Sequence, residues 1–262
     1  MKFTEVLNEL TPDGEQLFGK IPDSWRQGRT AYGGISTALV YEAARRMSGE
    51  TRALRSAMVN FVGPAFEDYT VEATTLRSGR TAAAVRATMK CNDVPANETV
   101  FTFSDLRPES SLKIPGPKPQ PYPLPTDEDE RIPLNGVGPV FISNYEMAPM
   151  GGKPFRGDTE AHLTCWARHR DEQAHDSIAG IISLADVLAP AATRTLSEPA
   201  PMSSMTWMIN MLVDNPTTED GWWMVHTRAD NAKGGFSSQD MYVWNAKGQC
   251  VMTGRQMVTI FA

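Results

Sequence analysis

An acid stands at position 186 in surroundings that do not suit it. The run Ile178–Leu188, IAGIISLADVL, is otherwise apolar or small. Burying an unpaired carboxylate is costly, so Asp186 reads either as a helix-surface residue or as a general base or water-orienting group. A second feature is the pair Gly33-Gly34, just before another helical pattern. A helix start there leaves backbone N–H groups to point at a carbonyl or phosphate oxygen, although a tight strand-to-helix turn needs such a pair as well. Other chemistries lack their residues. His162, His169, His175 and His226 form no HExxH or other closed ligand spacing, so no metal and no cofactor are expected. No CxxC, GxSxG or glycine-rich phosphate loop occurs.

The elements that must position these residues are written twice. Residues 29–49 read as a glycine-hinged entry into a long helix, with Ile35, Ala38, Leu39, Ala43 and Met47 on one stripe and Gly49 as its stop. Strand-like segments follow at 52–62, 69–77, 81–90 and 98–105, with turns at 77–80 and 91–94. The strand pattern at 162–169 precedes a second long helix expected over 176–195. Further strands are expected at 205–213, 222–230, 237–245 and 249–261, with a hairpin turn at Asn245-Ala-Lys-Gly248. One helix followed by consecutive strands is not βαβ alternation. The expected fold class is therefore α+β, with antiparallel sheets each wrapped round a long helix.

Between the copies lies 108–133, which holds eight of the nineteen prolines. Proline fixes φ and removes a donor, so this stretch is neither helix nor central strand. It divides the chain into units at 1–107 and 138–262, joined by an extended or disordered connection over 108–137. The net charge of -6 and pI near 5.3 argue against a nucleic-acid partner. The opening residues carry no apolar run like that of a signal peptide, no stretch is apolar enough to span a membrane, and three scattered cysteines suit reduced thiols, so a cytoplasmic protein is expected.

Several segments resemble the double hotdog acyl-CoA thioesterases of the bacterial thioesterase II type. They are Arg29-Thr-Ala-Tyr-Gly-Gly34, the strand Ser56–Pro64, the hairpin Leu76-Arg-Ser-Gly-Arg-Thr81, Leu184-Ala-Asp186, Thr206 and Gln256. The resemblance covers nearly the whole chain. It implies a double hotdog, an acyl-CoA substrate, and a water held by a carboxylate, a hydroxyl and a carboxamide from the second unit. Residue by residue these fall on Asp186, on Thr206 (or, with a two-residue gap, Ser204) and on Gln256 (or, one residue earlier, Arg255). Gly33 and Gly34 are then placed to meet the thioester carbonyl, and Arg77 and Arg80 the phosphates of CoA. A homo-oligomer of double units is expected if residues such as Trp223 and Trp244 leave apolar sheet surface uncovered. Two other readings use the same scaffold: a hydratase or dehydratase, which wants an Asp–His pair, and a silent acyl-CoA or acyl-carrier binding protein. Ten of fourteen methionines lie after residue 146; adaptable side chains suit either an acyl pocket or a curved-sheet core.

Overall fold

The computed structural model describes residues 1–66, 68–107, 109–133 and 138–262. A short helix α1 (Phe3–Asn8) is followed by strands β1 (Thr11–Asp13), β2 (Gln16–Lys20), β3 (Arg26–Gln27) and β4 (Thr30–Ala31). Helix α2 (Gly33–Ser48) then precedes β5 (Leu54–Phe61), β6 (Asp68–Ser78), β7 (Ala83–Cys91) and β8 (Val94–Phe103). The second half begins with β9 (Tyr145–Gly151) and β10 (His162–His169) and continues through helix α3 (Ile178–Ala185). It ends with β11 (Met202–Met211), β12 (Trp223–Lys233), β13 (Phe236–Trp244) and β14 (Cys250–Ile260).

Twelve described strands make one antiparallel sheet in the order β1-β2-β6-β7-β8-β5-β11-β14-β13-β12-β10-β9. Reading outward from the centre, each half repeats the other. The strand after the helix sits at the seam, the last strand lies beside it, and the strand before the helix lies far out. The halves join where β5 pairs with β11, with Met58 opposite Met208. Pairing these two edges removes the open ladder that either half alone would expose. The two sheets expected, one to each half, thus meet edge to edge and form one continuous sheet.

Helix α2 lies on this sheet with Ile35, Ala38, Leu39, Ala43 and Ala44 buried. Its small residues let sheet and helix approach closely, and Gly49 closes it at φ 67, its N–H bonded to the Arg45 carbonyl. The second helix departs from expectation. It is capped by Ser177, whose hydroxyl accepts the Gly180 N–H at 3.0 Å, and it spans only eight residues. The Val187 N–H turns back to the Leu184 carbonyl, and Pro190 opens a separate 3₁₀ turn at Ala191–Thr195. Proline disfavours helix at the residue before it and has no N–H to give, so the 176–195 pattern is cut in two. Asp186 stands at the cut.

The described part of the proline-rich segment is a strap. The Trp244 indole N–H donates to the Pro117 carbonyl at 2.6 Å. Tyr122 and Leu124 pack on the outer-face cluster of Ala148, Trp166, Trp222, Met224, Trp244 and Cys250. Trp223 is buried as well, its N–H on the His175 carbonyl at 2.8 Å. The two tryptophans on which self-association was expected to rest are therefore covered by this chain itself. Positions 108 and 134–137 of the expected connection lie outside the described residues.

Candidate active site

Asp186 is the residue after the last turn of α3, with φ -96 and ψ 15, so its side chain leaves the helix end and meets the start of α2. The fit is close. A Cβ added at Gly33 would lie 2.6 Å from Asp186 Oδ2, and one at Gly34 would lie 2.5 Å from the Ser183 carbonyl oxygen and 3.1 Å from Asp186 Cβ. The two glycines thus let helix α2 end on the carboxylate, and the Gly34 N–H donates to it. From the sheet side, Gln256 Nε2 on β14 donates to Asp186 Oδ1 at 2.8 Å. Burial pushes the Asp186 carboxyl up to about 6, against the opposing pull of the Gln256 and Gly34 bonds. Two donors and a helix N-terminus all favour the anion, yet desolvation wins. A carboxylate so tuned is ionised at neutral pH and more basic than an ordinary Asp.

Strand parity sorts the remaining expected residues. Trp207 lies opposite Gln256, and both are buried, so they share the helix-facing side of the sheet. Thr206 precedes Trp207, lies opposite the exposed Met257, and is itself exposed. It stands on the outer face, away from Asp186. A bulge between Ser204 and Thr206 reverses the alternation, and Ser204 lies opposite the buried Val258. By this register the hydroxyl on the same face as Gln256, two residues along β14 from it, is that of Ser204, not that of Thr206. The alternative to Gln256 does not fit either. Arg255 points outward to Asp240 and Asp230, at 2.6 Å each.

Arg77 and Arg80 are also far from the carboxylate. Ser78 pairs with Ala83, Ala83 with Phe103, and Phe103 with Leu54. The ring of Phe61, at the other end of β5, is what Gly33 and Asp186 approach. Seven residues of strand separate those ends, roughly 23 Å.

Two groups escaped the sequence reading. Gln239 on β13 is buried, donates from Nε2 to Gln256 Oε1 at 2.8 Å, and accepts the Ala191 N–H at 2.8 Å. Its signal was an amide in the inward register Ser237, Gln239, Met241, Val243. The second is a buried hydroxyl cluster behind the base. Tyr32, the residue before α2, bonds the Tyr145 hydroxyl and lies 2.6 Å from Ser183 Oγ, one turn ahead of Asp186. Burial raises both phenols, so they remain protonated and tie the entry of α2 to α3.

Among the described residues, the first half holds no copy of this site. Its strand registers match the second's with Met58 in the place of Met208. Phe101 then takes the place of Gln256 and Val85 that of Gln239, while counting from the helix starts puts Tyr41 where Asp186 stands. Tyr41, Phe101 and Phe103 form an aromatic cluster there.

Family models settle the relationship. The model of the acyl-CoA thioesterase C-terminal domain matches residues 115–260, and that of the N-terminal domain matches 21–104. The chain belongs to the acyl-CoA thioesterase family. Among solved structures, a hotdog-fold protein of unknown function from Alicyclobacillus acidocaldarius is 21% identical, with a TM-score of 0.87 over 99% of this chain and 98% of that one. A protein assigned as a thioesterase II from Thermobifida fusca is 15% identical, with a TM-score of 0.81 over 99% and 97%. The acyl-CoA thioesterase II TesB2 of Mycobacterium marinum is 14% identical, with a TM-score of 0.73 over 98% and 97%. At these identities the structures show the hotdog fold. No curated protein matches the sequence.

Proposed function

We propose that this family member is a double hotdog enzyme that hydrolyses an acyl-CoA thioester to the free acid and CoA, with Asp186 as the base. The observation that carries the reading is the half-buried carboxylate tuned to about 6, held between a helix N-terminus and a buried carboxamide. Asp186 takes a proton from a water, and the water oxygen bonds to the thioester carbonyl carbon. The resulting oxyanion faces the positive end of α2, whose first-turn N–H groups have no acceptor within the helix. The tetrahedral species collapses, the C–S bond breaks, and the proton held by Asp186 passes to the departing thiolate. Gln256 orients the base, and Ser204 supplies the hydroxyl to the water in the role first assigned to Thr206.

The hydratase reading has less support, because none of the four histidines bonds to Asp186. His169 and His175 bond backbone carbonyls, His162 meets Arg194, and His226 meets Thr164. Three free, buried cysteines support a reducing compartment, the cytoplasm. Among the described residues, no helix is long and apolar enough to cross a membrane. Release of free thiol from a panel of acyl-CoAs of graded chain length tests the activity. Turnover on at least one is expected, and binding without any turnover would favour a silent carrier protein instead.

A further inference from the structure

We propose that Gln239 is a positioning residue of this site, holding the Gln256 carboxamide in the one orientation that donates to Asp186. The inference rests on the reading of Asp186 as the base. A carboxamide presents an acceptor at one side and donors at the other, so Gln256 can face a carboxylate productively or unproductively. What removes the choice is the start of the chain of bonds. The Ala191 N–H is a backbone donor that cannot be reversed, and Gln239 Oε1 accepts it at 2.8 Å. Gln239 must then turn its NH₂ to Gln256, whose Oε1 accepts at 2.8 Å. Gln256 is left with its own NH₂ toward Asp186 Oδ1, also at 2.8 Å. The chain closes on itself, since Ala191 is only five residues beyond Asp186. The base and the anchor that orients its partner thus ride on one short segment, folded back over β13 and β14.

The first half supports this independently. The places of Asp186, Gln256 and Gln239 are filled there by Tyr41, Phe101 and Val85, so the amide on β13 occurs only in the half that carries the carboxylate. Both glutamines are almost wholly buried, 1% and 3% exposed, where an unpaired amide is costly. The titratable groups facing Asp186 are the phenols of Tyr32 and Tyr145, raised by burial. No described Lys, Arg or His bonds it, so an acid limb near pH 6 belongs to Asp186 itself.

Gln239→Leu keeps the bulk and removes the relay. Its kcat is expected to fall about tenfold or more, because a misplaced catalytic group costs up to about 10² in rate. KM should change little, and the acid limb of kcat should move to higher pH as Asp186 loses a fixed donor. Gln239→Glu, while ionised, can only accept, which turns the Gln256 carbonyl toward Asp186. It should be slower still at a pH high enough to ionise it, and recover toward the wild type where the introduced carboxyl is protonated and donates to Gln256. A folded Gln239→Leu enzyme with wild-type kcat and an unmoved acid limb would overturn the proposal, whatever its Tm. A second measurement needs no variant. In ¹⁵N-glutamine, ¹³C-aspartate labelled wild-type protein, the Nε2 signals of Gln256 and Gln239 should both shift as the Asp186 carboxyl titrates. A Gln239 signal that stays still through that titration would overturn the proposal even in a protein that hydrolyses nothing. Coupled shifts without turnover would instead defeat the thioesterase reading and leave the relay standing.

Discussion

At the scale of single residues, Asp186 sets a stability cost against a chemical use. Its folded carboxyl titrates near 6, above the ordinary Asp value of 3.8, so the folded state binds the proton more tightly than the unfolded one. The charged form therefore detracts from stability above about pH 6, and the penalty is relieved as pH falls from 6 toward 3.8. Asp186→Asn should stabilise the fold at pH 7.5 by about 1–2 kcal/mol, discounted from about 1.36 kcal/mol per pKa unit because Asn turns an NH₂ toward an existing donor. A Tm rise of a few degrees in a thermal melt is the expected reading. Catalysis should show the same group from the other side, with kcat falling below pH 6. The presence of an odd acid at 186 was legible from its apolar neighbours, and that of Gln256 from the resemblance. The hydroxyl was not, because the one-residue bulge before Thr206 switches which side chains face inward, and no residue type announces it. Ser204→Ala is expected to lower kcat about tenfold or more, and Thr206→Ala to leave it within about twofold; the reverse order in a thiol-release assay would restore Thr206.

At the scale of elements, the site is a junction between the blunt start of one helix and the early end of another. Two adjacent glycines at the start of α2 were visible in the sequence, while their use was not. Their need comes from Asp186 and Ser183, about 150 residues away in the chain. Gly34→Ala places a methyl carbon 2.5 Å from the Ser183 carbonyl and the Tyr32 ring, and 3.1 Å from Asp186 Cβ. Such overpacking costs about 1–3 kcal/mol and moves the base off its donors. Both a lower Tm and a lower kcat are expected, and an alanine variant with wild-type kcat would show that the helix end does not set the carboxylate's position. The second helix was overread for an understandable reason. Apolar periodicity continues through 187–195, and only Pro190 argues against it.

At the scale of the whole molecule, duplication made the fold legible. Helix and strand order repeat closely enough to give the antiparallel character and the presence of two copies. That the halves meet edge to edge follows from the duplication, but which strands form the seam does not, because the pairing of β5 with β11 joins residues about 150 apart whose side chains are alike, methionine opposite methionine. The two halves have diverged on both faces. Inside, the places that Asp186, Gln256 and Gln239 take in one half are taken by Tyr41, Phe101 and Val85 in the other. Outside, the proline-rich strap roofs an apolar patch of the second half, beside charged pairs such as Arg255 with Asp240, whereas the first half bears pairs such as Lys90 with Glu72 at 2.9 Å. The strap should therefore carry stability. Trp244→Ala removes its hydrogen bond to Pro117 and the ring it packs on, and a loss of about 3–5 kcal/mol in denaturant unfolding is expected. A loss under about 1 kcal/mol would make the strap an ornament.

The proposed reaction turns on Asp186 acting on water. Its most direct test is kcat for Asp186→Asn on the best acyl-CoA found for the wild type, with substrate affinity measured alongside. Removal of a positioned base typically costs about 10²–10⁴ in rate. The predicted result is a fall of that size with affinity retained in a protein that melts no lower than the wild type. Turnover within a few-fold of wild type would contradict it.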